Sequence, residues 1–285
     1  MDQRIINLYD EYTHLPLSRT EFIRRLSALT GSATAAMAIL PALEVNYANA
    51  VTVSELDEDI VSEDISYPTP HTTMKGYCSR PAKAGKYGSV LVIHENRGLN
   101  PHIRDVTRRV AKAGYLALAP DALSVAGGTP EDPDKARDLF GSLDAAQTRD
   151  NFIAGLDYLK KHEFSNEKLA TVGFCWGGAM VGQLAVHAPD LKLAVAFYGR
   201  QPQADDVKKI RAKLQLHYAE QDERVNAGIA DFEAALKKEK IDYELFMYPG
   251  AQHAFHNDTA PTRFNEKAAA LAWERTLSAF AATIR

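Results

Sequence analysis

The sequence of 285 residues predicts a domain of the α/β class, in which helices cover both faces of a mostly parallel central β-sheet. Two observations lead to this prediction. Short apolar runs alternate with longer helical patterns along most of the chain. The strand-like runs are almost continuously apolar, as is expected for strands that are buried on both sides. With 46% apolar and 25% charged residues, the chain can bury one large core and carry an appendage.

Composition excludes several classes of function. The net charge of −4 provides no basic surface for nucleic acid, so we expect no nucleic-acid partner. The two cysteines, Cys78 and Cys175, make neither a disulfide framework nor a zinc site, and no metal is expected. Cys78 has no motif around it, which is typical of a buried small hydrophobe or a surface thiol.

Residues 1–50 differ from the rest and are predicted to form a helical extension. Residues 2–14 have the apolar spacing of a short amphipathic helix. Ser18 and Glu21 are the ends of a capping box, which opens a second helix that we expect to run through to Leu40, just before Pro41.

The extension has two interpretations. Residues 18–24 resemble a twin-arginine export signal in which Thr20 replaces the second arginine, and residues 48–50 would then be the cleavage site. The acidic residues of the leader and the missing arginine favour a retained arm on a cytoplasmic protein, with export to the periplasm as the alternative. The apolar run falls short of the roughly 20 residues that span a membrane. A retained arm would also offer a contact for a homodimer.

The remaining residues, 51–285, are predicted to form the catalytic domain. An acidic linker at 54–59 leads to two edge strands at 65–68 and 74–78. The further strands are expected at residues 89–94, 115–119, 169–174, 193–198, 214–218 and 243–248. The helices between and after them are expected at residues 101–113, 145–162, 178–187, 226–238 and 264–283.

The stretch from Gly173 to Gly178 stands between a predicted strand and a predicted helix, and it contains Cys175. A nucleophile flanked by glycines at such a turn is the nucleophile elbow of the α/β-hydrolase fold, here with cysteine instead of serine. The glycines are needed because the strained backbone tolerates no bulk on either side. The helix N-terminus behind the thiol favours its thiolate form.

Two further residues follow predicted strands and complete a catalytic triad. Asp222 comes after the strand at 214–218, and His253 after the strand at 243–248. The chain order of nucleophile, acid and histidine is the one found in α/β-hydrolases. Taken alone, the aspartate would be read as a turn residue and the histidine as a solvated one, but three placements that agree favour a triad. A metal at His253 and His256 lacks supporting ligands at a suitable spacing.

An oxyanion hole requires backbone N–H groups from the residue after the nucleophile and from the loop after an early strand. These groups are expected on Trp176 and Asn96. Glu95 stands at the end of the same early strand, where its carboxylate should be near the thiol; the alternative is a structural ion pair with Arg97 or Arg109.

These motifs together resemble the dienelactone hydrolase family. The similarity runs from about residue 65 to the C-terminus, in the order of residues 94–98, 115–121, 173–178, 197–199, Asp222 and residues 250–255. The resemblance implies that Glu95 hydrogen-bonds the resting thiol and takes its proton when substrate binds, leaving a thiolate paired with His253. It further implies a carboxylic ester hydrolase that cleaves a lactone or an activated ester through an acyl-thioester, without metal or organic cofactor.

Two alternatives to that function remain open on the same scaffold. One is a general carboxylesterase or thioesterase, and the other is a non-catalytic binding protein.

The sequence departs from the family at the substrate carboxylate. The family binds that group with two arginines, where this chain has Pro133 and Asn257. Arg97 and Arg200 lie on loops at strand ends and are candidates for new anion contacts, or else for surface charge and ion pairs. Phe140 is a further candidate for substrate binding.

Overall fold

The computed structural model describes residues 1–47 and 51–285. A single sheet of eight strands runs through it in the order β1-β2-β4-β3-β5-β6-β7-β8. β1 and β2 are antiparallel to their neighbours, and the strands from β4 to β8 pair in parallel. The strands are β1 (Ile60–Pro68), β2 (Thr73–Pro81), β3 (Tyr87–Ile93), β4 (Leu116–Pro120), β5 (Ser165–Phe174), β6 (Leu191–Phe197), β7 (Lys213–Gln221) and β8 (Tyr243–Gln252).

Helices cover both faces of this sheet, which confirms the predicted α/β-hydrolase fold. The first three helices precede all the strands in the sequence. The helices α4 to α10 connect strands or follow the last one. In chain order they are α1 (Gln3–His14), α2 (Arg19–Thr30), α3 (Ala33–Leu43), α4 (Pro101–Lys112), α5 (Pro133–Phe140), α6 (Ala145–Lys161), α7 (Trp176–His187), α8 (Glu223–Asn226), α9 (Ile229–Glu239) and α10 (Glu266–Thr283).

The side chains of the parallel strands alternate between two apolar layers. Leu91 and Ile93 point into the layer covered by α6 and α7. Val90 and Val92 point into the opposite layer, with α4 and α10. Both faces of β3 are therefore buried, which explains why its sequence is an unbroken apolar run rather than an alternating one.

The helical extension differs from the prediction of one long second helix. α2 ends at Gly31, whose φ of 83° lies in the left-handed region. The Ser32 side chain then accepts a hydrogen bond from the amide of Ala35 and caps the N-terminus of α3. α2 and α3 meet at an angle of 110°. Pro41 lies inside α3 rather than after it. The prediction of a continuous helix was wrong because the apolar pattern continues across a glycine that caps α2.

The structure differs from the prediction in two further elements, β2 and α5. β2 lies between β1 and β4, so only β1 of that antiparallel pair is an edge strand. α5 was not predicted, although Asp132 caps it and Pro133 occupies its first turn.

The three helices α1 to α3, referred to below as the arm, have an apolar cluster of their own, in which Tyr12 stacks on Phe22 at 4.4 Å between ring centroids. No single helix among residues 1–47 and 51–285 is long and apolar enough to cross a membrane; α2 and α3 meet that test only as a pair, across their bend. The cleavage site predicted at residues 48–50 lies outside the described residues.

Candidate active site

Cys175 lies at the turn between β5 and α7, at the carboxyl end of the sheet. Its backbone has φ 56° and ψ −113°, a strained conformation for a residue with a side chain. The neighbouring backbone leaves no space for side chains, since a Cβ on Gly173 would lie 2.3 Å from the Gly177 carbonyl oxygen. The turn therefore has the form of a nucleophile elbow, and it holds Cys175 with only 7% of its surface exposed.

His253 follows β8 and is paired with Asp222, which follows β7. The His253 Nδ1 atom lies 2.5 Å from Asp222 Oδ2, and both side chains are almost fully buried. The other ring nitrogen, Nε2, is buried without a hydrogen-bond partner within the described residues. Tyr198 packs against the ring at 5.0 Å between centroids. The aspartate thus fixes the orientation of an imidazole whose second nitrogen is free for proton transfer.

A second histidine, not predicted from the sequence, contacts the thiol. His14 is the last residue of α1, and its Nε2 atom lies 3.1 Å from Cys175 Sγ. Its Nδ1 atom lies 3.0 Å from Asp10 Oδ1, one helical turn earlier. The rings of His14 and His253 meet edge to face at 4.6 Å. The arm therefore brings a second histidine–carboxylate pair to the same sulfur.

The charges of this cluster shift the pKa values of its members. Burial alone would raise the pKa of the Cys175 thiol, but His14 and His253 outweigh it and lower that pKa to about 6. Burial lowers the pKa of His253, yet the Cys175 thiolate and the Asp222 carboxylate raise it to about 10. The pKa of His14 is raised as well, against burial, by Cys175 and Asp10. Near neutral pH these directions favour a thiolate between protonated imidazoles.

The two residues expected to form the oxyanion hole lie next to this cluster. Trp176 is the first residue of α7, so its amide has no acceptor within the helix. Asn96 follows β3, and its side chain donates a hydrogen bond of 2.7 Å to the carbonyl oxygen of Thr13 in the arm. Both line the same cavity as Cys175. Their role as oxyanion donors stays a prediction.

Glu95 is buried close to the cluster but bonds other groups. Its carboxylate accepts a hydrogen bond of 2.8 Å from Asn257 Nδ2 and a longer one, 3.5 Å, from Tyr198 OH. Among the described residues, no hydrogen bond joins Glu95 to Cys175, and the partner of the thiol is His14. The expected part of Glu95 in activating the thiol stays a prediction.

A cavity of about 1320 Å³ opens over Cys175, and the three residues expected to bind substrate line it. Arg97 is buried and paired with Asp134 at 3.0 Å, which is the ion-pair alternative considered for it. Arg200 is exposed to the cavity and has no charged partner among the described residues. Phe140 meets the Trp176 ring edge to face at 4.9 Å and forms an apolar wall.

Ligand atoms of His14, Cys175 and His253 all lie within 4.8 Å of one another. That spacing would also admit a metal ion such as Zn²⁺. The contacts to Asp10 and Asp222 and the histidine–sulfur contact account for the arrangement without one.

Comparison with known proteins identifies the family of this chain. The model of the dienelactone hydrolase family matches residues 74–284. The chain belongs to the dienelactone hydrolase family. A "Putative carboxymethylenebutenolidase" from Saccharolobus solfataricus is 32% identical over 256 residues, which cover 76% of this chain and 97% of that protein. A "Putative hydrolase fragment" from Escherichia coli K12 is 54% identical over 112 residues, 38% of this chain and 96% of the fragment.

Solved structures give the same result. The "Putative Dienelactone Hydrolase" from Klebsiella pneumoniae superposes with a TM-score of 0.71 at 30% identity, covering 78% of this chain and 98% of the other. The family, the α/β-hydrolase fold and an enzyme of the carboxylic ester hydrolase type are thereby confirmed.

Sequence reasoning missed His14 and Asp10. Their spacing of four residues places both on one face of α1, and this was the available signal. The pattern alone does not say which surface that face meets.

Proposed function

We propose that this member of the dienelactone hydrolase family hydrolyses a lactone or an activated ester with Cys175 as nucleophile, His253 as acid and base, and Asp222 as the group that orients His253. The observation that carries the proposal is the buried pair of His253 and Asp222, 2.5 Å apart, beside a cysteine on a strained elbow.

The reaction has two halves. The Cys175 thiol gives its proton to His253, and the thiolate attacks the ester carbonyl carbon, forming a C–S bond. The C–O bond to the leaving group breaks, and His253 returns the proton to the departing oxygen. Water then attacks the acyl-thioester, giving a proton to His253, and the C–S bond breaks to release the carboxylic acid and the thiolate.

The amides of Trp176 and Asn96 are proposed to bind the oxyanion of both tetrahedral intermediates. The Trp176 amide lies at the N-terminus of α7, where the helix leaves amides unpaired and its dipole favours negative charge.

Arg200 is proposed to favour substrates with a carboxylate or another anionic group. It lines the cavity without a charged partner, whereas Arg97 is held by Asp134. The wall formed by Phe140 and Trp176 would take the apolar part of such a substrate.

The test is an assay of the wild type, Cys175→Ala and Cys175→Ser on dienelactone, simple lactones, p-nitrophenyl acetate and an acyl-CoA. We expect loss of turnover by about 10³-fold or more in Cys175→Ala, with the acyl-thioester trapped and located by mass spectrometry in the wild type. Activity on aryl esters alone would point to a general carboxylesterase, and on acyl-CoA to a thioesterase. Retained activity in Cys175→Ala would overturn the mechanism, and no turnover on any substrate would favour a binding protein.

A further inference from the structure

Granting the proposed function, we propose that the arm is part of the active site and that His14, oriented by Asp10, is a second catalytic histidine that acts on the sulfur of Cys175. The observation behind this proposal is the 3.1 Å contact between His14 Nε2 and Cys175 Sγ.

His14 is held in place from several sides. Its Nδ1 atom lies 3.0 Å from Asp10 Oδ1, 2.9 Å from the Asp10 carbonyl oxygen and 2.9 Å from Thr13 Oγ1. Three oxygen neighbours favour Nδ1 as a donor, and Nε2 is left for the sulfur. Asp10 is in turn paired with Arg224 of α8 at 3.4 Å. The carbonyl oxygen of the preceding residue, Thr13, accepts a hydrogen bond from Asn96. The His14 side chain is only 10% exposed.

Two histidine–carboxylate pairs approach the sulfur. Asp10 and His14 approach it from the arm, and Asp222 and His253 approach it from the loops after β7 and β8. Charged or titratable groups face this cluster from several elements. They are Tyr9, Asp10 and His14 of α1, Glu95 and Arg97 after β3, Tyr198 after β6, Asp222 and Arg224 around α8, and His253 and Arg263 after β8.

A protonated His14 donates an N–H to the thiolate and transfers no proton. Before the attack it stabilises the negative charge on sulfur. After water has attacked the acyl-thioester, the C–S bond breaks and its electron pair returns to sulfur. The same N–H then donates a hydrogen bond to the thiolate that forms again. His253 carries out every proton transfer with substrate and water.

The alternative is that the arm simply blocks the site. Against it, the arm does not fill the space over the nucleophile. The cavity of about 1320 Å³ is lined both by Cys175, Trp176 and Arg200 and by Tyr12, His14 and Leu17 of the arm region. The arm forms a wall of the substrate site and leaves it open.

The experiment uses the full chain with His14→Gln and His14→Gly. The matched control is His71→Gln, since His71 also pairs with a carboxylate, Asp150, at 3.6 Å but lies outside the cavity lining. Two readouts are measured: kcat/KM on p-nitrophenyl acetate, and the rate at which iodoacetamide alkylates Cys175 as a function of pH, located by mass spectrometry. Cys78 does not compete, because burial raises its pKa to about 12.

We expect His14→Gly to lose roughly 10- to 100-fold in kcat/KM, as for a lost hydrogen bond to a charged group. The midpoint of alkylation should move to higher pH, and added imidazole should restore part of both readouts. The control should match the wild type, and circular dichroism should show that all variants are folded.

Wild-type kinetics and an unchanged midpoint in both His14 variants would overturn the proposal, and so would a gain of activity, which would make the arm an inhibitory cover. Failure of the proposed function gives a different result. If the proposed function is wrong, Cys175→Ala keeps its activity. If only the proposal for His14 is wrong, Cys175→Ala is still inactive.

Discussion

Two histidine–carboxylate pairs face one sulfur, and they are built differently. His253 and Asp222 stand on separate loops at the ends of neighbouring strands and are brought together by the sheet. His14 and Asp10 stand one turn apart on a single helix and reach the site only because the arm docks there. The first pair belongs to the fold itself, and the second depends on an attached element. An appended helix can therefore bring a side chain into contact with the cysteine at the elbow of the sheet domain.

The largest expected difference between the pairs is in catalysis. His253→Ala should lower kcat/KM on p-nitrophenyl acetate by about 10³- to 10⁴-fold, because it removes the proton carrier for both halves of the reaction. The loss should exceed that of His14→Gly by at least a factor of ten. In the double variant the two losses should not add, since without His253 the Cys175 thiol has lost its proton acceptor and less thiolate is present for His14 to stabilise. Equal losses in the single variants would mean that the two histidines share the proton-transfer role.

The second-largest expected difference between the two histidine–carboxylate pairs is in the pH dependence of acylation. The reactive form holds the Cys175 thiolate beside protonated His253, so the rate should fall below a pH of about 6, where the thiolate is protonated. It should fall again above a pH of about 10, where His253 loses the proton that it gives to the leaving group. Stopped-flow release of p-nitrophenol would measure the acid limb. Hydrolysis of a simple lactone, whose alkoxide leaving group needs the proton, would measure the basic limb. Removing His14 takes a cation away from the thiolate, so His14→Gln should move the acid limb of the profile to higher pH. An unchanged acid limb would mean that His253 alone lowers the pKa of the thiol.

The smallest expected effect concerns the attachment of the arm. Asp134 accepts hydrogen bonds from Tyr12 and Arg19 of the arm, at 2.7 and 2.6 Å, and pairs with Arg97 of the sheet domain. Asp134→Asn should lower the free energy of unfolding by roughly 1–3 kcal/mol, because the buried Arg97 loses its charged partner. Limited proteolysis should then cut the arm sooner, with a several-fold fall in activity. Arg24→Gln is the control, because Arg24 is an exposed arm residue whose only charged partner among the described residues is Glu21.

The pair of Asp222 and His253 could be predicted from the sequence for a physical reason. Parallel strands buried on both faces give apolar runs, and the loops after them meet at one edge of the sheet. Asp222 and His253 could therefore be placed together although they are 31 residues apart. The glycines around Cys175 marked the elbow because the close approach of the backbone leaves no space for other residues.

What could not be predicted depends on contacts between surfaces. The docking of α1 depends on contacts such as the hydrogen bond from the Asn96 side chain to the Thr13 carbonyl oxygen, which joins groups 83 residues apart in the sequence and follows no periodicity. Glu95 was expected beside the thiol from its place after β3, but its rotamer points to Asn257. Arg97 and Arg200 read alike in the sequence, and only the structure shows that Asp134 engages one of them.

The contact of the arm with late parts of the chain has a consequence for biosynthesis. Residues 3–43 are translated before every strand of the sheet, and their own apolar cluster allows them to collapse early. Their partners at the site, Arg224 and His253, leave the ribosome about 200 residues later, which is on the order of 10–40 s at ordinary rates of synthesis. During that interval Asp10 lacks its partner Arg224 and His14 lacks the ring of His253, so a chain released before α8 and β8 would carry the arm without these two contacts.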